Sequence, residues 1–342
     1  REEEALYKVV DTGYPLNGDQ PTVPTQKAPD GRPIYNMPGN YSYHAGLYNE
    51  CCGEREVISA TFAKAFRDGD TVLSVSYTGQ DADNKNGMTS STSNSNFGKT
   101  GAVDFNNRKN MRSIYETEHR LLATLKSRHY FFGSDKPTTF SLVYTRESGN
   151  TKYPTFDTYT GFQGDYQTKA FGYEFNLNDD SSSLLYIPTV NDPIVCYSYK
   201  CTDEGSADAL AREEAVLNLL HNVFGLSDYA GQIAPRDAGN FPWQTSLDLN
   251  IIQELPGLRD DDKFIVTFAI ENLLNFIDDD KGIINYGYYS GRIPVIDLRI
   301  VDDSKYDYSR NAFRYSFDDP FNIDRSTTQS LWRASLGFQY KF

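Results

Sequence analysis

In the closing segment SLWRASLGFQYKF, apolar and polar side chains alternate without a break. Trp332, Ala334, Leu336, Phe338, Tyr340 and Phe342 fall on one parity, and Arg333, Ser335, Gly337, Gln339 and Lys341 on the other. An extended chain points successive side chains to opposite faces, so this segment predicts a strand with one apolar and one polar face. Phe264, Val266, Phe268 and Ile270 repeat the pattern against Thr267, Ala269 and Glu271, with Ile265 breaking the polar face. Phe140, Leu142 and Tyr144 repeat it against Ser141, Thr145 and Glu147. Shorter versions run through Leu247, Leu249 and Ile251, through Leu121, Ala123 and Leu125, and through Leu73, Val75 and Tyr77.

Strands are accordingly expected near 4–12, 55–66, 71–81, 117–130, 138–149, 244–255, 264–275, 293–301, 306–316 and 330–342. The connections alternate: 13–54, 82–116, 150–243, 276–292 and 317–329 are long, whereas 67–70, 131–137, about 256–263 and 302–305 are short. Long loops at one end and tight turns at the other are the signature of an outer-membrane barrel. The expected fold is therefore all-β, an antiparallel transmembrane β-barrel of about 8 to 10 strands with long extracellular loops. In the hairpin 293–316, Tyr306, Tyr308, Phe313 and Tyr315 are out of phase. If that hairpin stands in a loop, eight strands remain and the parity survives. Residues 150–243 are expected to form an extracellular cap, with 13 acidic and 5 basic residues and a helix near 206–224 capped by Ser206 and ended by Gly225.

Composition narrows the function. The 342 residues include 25 Tyr and 21 Phe, yet the net charge is -14. The acidic balance disfavours a nucleic-acid partner, since the sequence shows no basic patch to neutralise phosphates, and none is expected. No apolar run of helical membrane length exists, but membrane strands need only about 9 to 11 alternating residues. The opening REEEALYKVV lacks a starting Met and a leader, so a processed or partial chain is expected. The four cysteines, Cys51, Cys52, Cys196 and Cys201, allow three pairings and lack zinc-site spacing. A Cys196–Cys201 bridge in an oxidising compartment is the favoured reading, with isolated thiols as the alternative and the pairing of Cys51 and Cys52 open.

Candidate chemistry is sparse. His119 shares a strand with Glu118 and Arg120 but points to the opposite face, and His221 lies on the expected helix beside Leu217 and Leu220, so packing outweighs ligation at both. Asp260–Asp262 and Asp278–Asp280 lack the ligand spacing of a calcium loop and read as solvated turns. No catalytic triad, phosphate loop or nucleotide fingerprint appears, and no cofactor or metal is expected. The loop aromatics Tyr153, Phe156, Tyr159, Phe162 and Tyr166 are the candidate ligand surface, with loop packing as the equal alternative.

Several motifs go beyond a generic barrel. DLNIIQELPGLRDDDKFIVTFAIENLLNFIDDDKG, with GQIAPRDAGNFPW, TEHRLLATLKSRHYFFGS, LLYIPT and MTSSTSNSNF upstream, resembles the Oar-like group of TonB-dependent outer-membrane receptors. The resemblance covers most of 55–342 in patches. It implies a bacterial outer-membrane location, uptake of a ligand without bond cleavage, and a plug inside about 22 strands. Residues 1–342 are then the C-terminal part of the barrel, and the TonB complex would be reached through an N-terminal region absent from this chain. Implied partners are outer-membrane lipid and lipopolysaccharide, the barrel-assembly machinery reading Phe338, Tyr340 and Phe342, and further outer-membrane subunits. Two other classes stay open: a self-contained barrel hydrolase using His119 or His221 at the rim, and a structural or adhesive surface protein.

Overall fold

A computed structural model describes residues 2–9, 29–32, 45–87, 100–104, 107–133, 136–149, 151–157, 183–198, 201, 203–259, 262–286, 292–300, 312–316, 324–325 and 327–342. Its main feature is a nine-stranded antiparallel sheet, in which eight long strands lie side by side in chain order. They are β1 (Glu2–Val9), β2 (Ala45–Phe66), β3 (Thr71–Asn84), β4 (His119–His129), β5 (Thr138–Glu147), β6 (Gln244–Pro256), β7 (Lys263–Glu271) and β8 (Arg333–Lys341). The ninth, Met111–Arg112, pairs only with the end of β3. Among the described residues the sheet is open, with β1 and β8 at its edges. No described helix is long and apolar enough to cross a membrane.

The short turns follow from local chemistry. Between β2 and β3 the chain reverses through Arg67, Asp68 and Gly69, at φ 53°, 52° and 93°. The most positive falls on the glycine, which alone adopts it without a Cβ penalty. The amide of Asp70 closes the turn on Arg67 O at 3.0 Å.

Register carries the alternation from strand to strand. Leu336 stands opposite Phe268, Phe268 opposite Ile251, Ile251 opposite Phe140, and Phe140 opposite Ser127. Further along, Leu125 stands opposite Leu73, Ala123 opposite Val75, and Val75 opposite Phe62. Directly opposed residues share a face, so β2 to β8 present one largely apolar face, interrupted by Lys64, Ser127 and Gln253. The other face collects Thr61, Ser76, Thr124, Ser141, Asn250, Thr267 and Gly337, interrupted by Leu122, Val143, Ile252 and Ile265. Two ion pairs cross it, Lys263 with Glu254 at 2.9 Å and Arg120 with Glu147 at 3.5 Å.

The two hydrophobic surfaces of the molecule are treated differently. On the sheet, Ile58, Phe62, Leu336 and Phe338 are 75%, 60%, 61% and 65% exposed. The buried core lies at the long-loop end instead, built from Leu185, Ile187, Val195, Leu220, Leu226, Phe241, Phe313 and Tyr315. A helix contributes to it: α1 (Ala207–Leu217), capped by Ser206, whose side chain accepts the Ala209 amide, and continued as a π-turn over Asn218–Val223. Ala209, Val216, Leu219 and Leu220 turn inward from this helix, and Gly225, at φ 69°, follows its end.

Of the two placements open for the hairpin 293–316, the structure takes the one outside the main sheet. The hairpin's strands, Arg292–Ile300 and Phe313–Ser316, pair with each other outside the main sheet, with Ile300 opposite Phe313. They belong to a five-stranded sheet in which Thr151–Asp157 runs parallel to Arg292–Ile300 and Val195–Cys196 parallel to Phe313–Ser316. The cap therefore draws on more of the chain than 150–243, including Ala102, which bridges to Ser183. The main sheet keeps the eight-strand count.

Candidate functional site at the cap end of the sheet

The cap is attached to the sheet by polar side chains that sit in irregular backbone. Arg236 is fully buried, and its guanidinium donates to Asn84 Oδ1 at 2.9 Å, to Met111 O at 3.2 Å and to the backbone carbonyl of Asn84. One planar cation thus ties the segment after α1 to the ends of β3 and its two-residue partner, which suits arginine's fixed fork of donors. Gly149 permits the neighbouring contact, because a Cβ there would overlap the carbonyl of Phe241.

A carboxylate lies alongside. Glu116 is buried, accepts the Ala82 amide at 2.6 Å and pairs with Arg112 Nε at 2.8 Å. Burial raises its pKa above the ordinary value, opposed by the Ala82 amide and Arg112. Arg112 also reaches Glu118 at 3.1 Å and Asn240 Oδ1 at 3.0 Å. Elsewhere in the cap, Asp192 accepts from Thr189 N at 2.9 Å, Ile194 N at 3.1 Å and Tyr186 OH at 3.0 Å. Burial, with Asp192 beside it, pushes the Tyr186 hydroxyl up to about 12.

The ENLLNFIDDDKG motif is an asparagine clasp. Asn272 has φ 52°; its side chain does not cap its own short helix α2 (Leu273–Ile277), and Nδ2 donates instead to Gly282 O at 2.8 Å and Ser330 O at 2.7 Å. Its amide donates to Asp248 Oδ1 at 2.8 Å. Asn275 Nδ2 reaches Asp279 O and Lys281 O at 3.2 and 3.1 Å. The cap-side ends of β6, β7 and β8 are joined this way. Asp278 accepts the Asp280 amide and pairs with Lys281 at 3.0 Å, which holds its carboxyl below the usual range.

The sequence candidates are dispersed. Tyr153 and Phe156 stand on the strand Thr151–Asp157, while Tyr159, Phe162 and Tyr166 lie outside the described residues. Phe338 and Tyr340 share the apolar face of β8, and Phe342 ends the chain almost fully exposed. His119 packs in an aromatic stack, 6.0 Å from Trp243 and 6.1 Å from Tyr77, with Tyr77 OH 2.8 Å from Nδ1. His221 Nε2 lies 3.0 Å from Pro188 O. Cys196 and Cys201 form a disulfide with Cα atoms 5.4 Å apart, and Cys51 is also disulfide-bonded. Glu204 lies close to the first pair, but it accepts the amides of Tyr197 and Ser198 at 2.8 and 3.0 Å, and oxidised sulfurs offer no thiolate to a metal.

The residue pattern did not reveal a cavity of about 330 Å³ between the cap and the end of β3. Arg32, Lys85, Arg108 and Lys109 line it together with Asp30 and Asp104, over an apolar side of Val103, Met111 and Ile233. Only the closeness in sequence of Arg108 and Lys109 hints at it. No known protein family, curated protein or solved structure matches the chain.

Proposed function

We propose that the chain forms part of an outer-membrane β-barrel of the TonB-dependent receptor type, resembling the Oar-like group, which takes up a ligand captured at the cap. The observation that carries this reading is the apolar face of β2 to β8, held in phase by register yet left open to the surroundings. In water that face would be an aggregation surface; against acyl chains it is the favourable arrangement. Its dimensions support the same reading. From His119 to His129 the strand rises about 33 Å, which a tilt of about 40° reduces to about 25 Å, the height of a barrel's apolar band. Aromatic groups mark both limits: Tyr77, His119 and Trp243 at the cap end, and His129 with Phe131 and Phe140 at the turn end.

The hydroxyl-rich face would line the passage, and the open edges at β1 and β8 are where further strands would continue the wall. The stacking of His119 and the carbonyl partner of His221 favour binding and transport over hydrolysis. Single cysteine labels at Leu336, Phe268, Ser335 and Thr267, in a background freed of native cysteines and reconstituted in vesicles, test the reading. Labels at Leu336 and Phe268 are expected to be quenched by brominated acyl chains, and those at Ser335 and Thr267 by a water-soluble quencher. Equal access of the aqueous quencher to all four sites would refute it.

A further inference from the structure

We infer that the turn end of the apolar face is a binding site for the phosphate of an anionic glycerophospholipid, held by Arg67 and Lys64 over a base of Thr71, Ser127 and His129. This deepens the reading above by naming a lipid that the wall holds in place, and it rests on that reading for the membrane.

The argument starts from polar side chains on a face that is otherwise apolar. Register puts Phe66 opposite Thr71 and Thr71 opposite Ser127, so the three form one row across β2, β3 and β4, on the side that carries Phe62, Val75 and Ala123. Thr71 Oγ1 lies 2.9 Å from Ser127 Oγ, which in turn lies 2.9 Å from His129 Nε2. The row spans two strand spacings, about 10 Å. Phe131 stacks on the imidazole with ring centroids 5.5 Å apart, and Phe140 meets it edge-on at 5.8 Å. Hydroxyls and an imidazole facing acyl chains would carry a desolvation cost. At the limit of the apolar band, where this row sits, they meet headgroups instead.

Two cations reach the same level. Lys64 stands opposite Leu73, deeper in the face, yet its Nζ lies 5.0 Å from the centroid of Phe66, two residues nearer the turn. A lysine rooted in an apolar surface carries its charge out to the headgroups in this way. Arg67 follows Phe66 directly, and its Nη1 lies 3.5 Å from both ring nitrogens of His129, at the outer limit of a hydrogen bond. Among the described residues neither cation is paired with a carboxylate. Asp70, in the same turn, is engaged by Arg128 at 3.8 Å and by Tyr130 OH at 3.1 Å, and Asp68 bonds to neither Lys64 nor Arg67.

The groups gathered here are cations or hydroxyls able to donate. A phosphodiester presents the complement, two unesterified oxygens that share one negative charge and only accept. Arginine's planar fork spans two such oxygens, and the ammonium adds a point charge. A choline or ethanolamine head would bring a further cation beside Lys64 and Arg67, so a lipid of net negative charge fits better. Free inorganic phosphate lacks the acyl chains that Phe62, Leu73 and Leu125 receive on the same face.

The test uses the full chain refolded into phosphatidylcholine vesicles. Trp243→Phe and Trp332→Phe remove the two native indoles, and Leu125→Trp places a reporter on the same face, two residues from Ser127. Phosphatidylglycerol or phosphatidylcholine with dibrominated acyl chains is titrated in at constant total lipid, and quenching gives their relative affinity beside the reporter. Phosphatidylglycerol is expected to be preferred about fivefold or more, and the preference to fall to near parity in the double variant Lys64→Gln with Arg67→Gln. Lys126→Gln removes a cation at the same level from the polar face, where Lys126 stands opposite Ser141, and is expected to leave the preference unchanged. Equal quenching by the two lipids, a preference that survives in the folded double variant, or an equal loss in Lys126→Gln would overturn this inference and leave the lipid-facing reading standing. Absence of quenching by either lipid would remove both.

Discussion

Replacing Leu336 by arginine places a guanidinium on the apolar face at the middle of β8. Leu336 lies four residues from Trp332 and four from Tyr340 along the strand. Each interval is about 13 Å of extended chain, or about 10 Å of depth at a tilt of about 40°. If the face meets acyl chains, the substituted side chain starts near the bilayer midplane, where an arginine costs about 2 to 4 kcal/mol. That corresponds to roughly a 30- to 700-fold loss in the folding equilibrium. Two controls calibrate it. Tyr340→Arg, near the interface, should cost no more than about 1 kcal/mol, and Gln339→Arg, on the polar face opposite Ile265, should be mild. Urea titrations of folding into phospholipid vesicles, followed by far-ultraviolet circular dichroism, give the three differences. Equal losses for Leu336→Arg and Gln339→Arg would refute the facing of β8, because a slip by one residue exchanges the faces. Equal losses at Leu336 and Tyr340 would refute the depth.

Arg236→Met should release the cap from β3 at a cost of about 3 kcal/mol, because it leaves the part-buried carbonyls of Asn84 and Met111 without this donor; limited proteolysis should then cut the cap while the sheet resists. Glu116 has its pKa raised by burial above the ordinary 4.5, so its stabilising contribution is complete below that pH and is lost as pH rises through the raised value. Hydrogen exchange at the Ala82 amide should therefore quicken with rising pH beyond its intrinsic rate, and Glu116→Gln should flatten that excess. Cys196→Ser with Cys201→Ser opens a loop of sequence separation 5 and should lower cap stability by about 2 kcal/mol, read as an earlier melting of the cap; an unchanged melt would refute this.

The main sheet was legible because period two survives in the residues themselves: Leu73, Val75 and Tyr77, or Phe264, Val266 and Phe268, can satisfy only one face at a time. The early part of β2 was not, since AGLYNECCGE has no such period and becomes strand through pairing with β1. The hairpin 293–316 was the ambiguous case, as its out-of-phase aromatics left open the loop placement that it takes, and its parallel pairing with Thr151–Asp157 had no signal in either segment. The cap core was hidden because Leu185, Val195 and Phe313 come from short segments with no periodicity of their own. Arg236 and Asn272 looked like ordinary loop polar residues; only the punctuated PRDAGN and ENLLN runs set them apart, and their partners lie far along the chain. The cavity under the cap depends on Arg32 meeting Lys85 and Arg108, a convergence that no local pattern encodes.

The strict neighbour order of the eight long strands has a kinetic meaning. Every long strand finds its partners immediately before and after it, and three of the connections, 67–70, 130–137 and 257–262, are short. Residues 148–243, between β5 and β6, form a connection roughly twentyfold longer than the first of these, which adds roughly 3 kcal/mol of closure entropy while they remain coil. Three hairpins, β2 with β3, β4 with β5 and β6 with β7, should therefore appear first and independently. Their lateral joining should then be the slow event, completed only when Arg236 reaches Asn84 and Asn272 reaches Ser330.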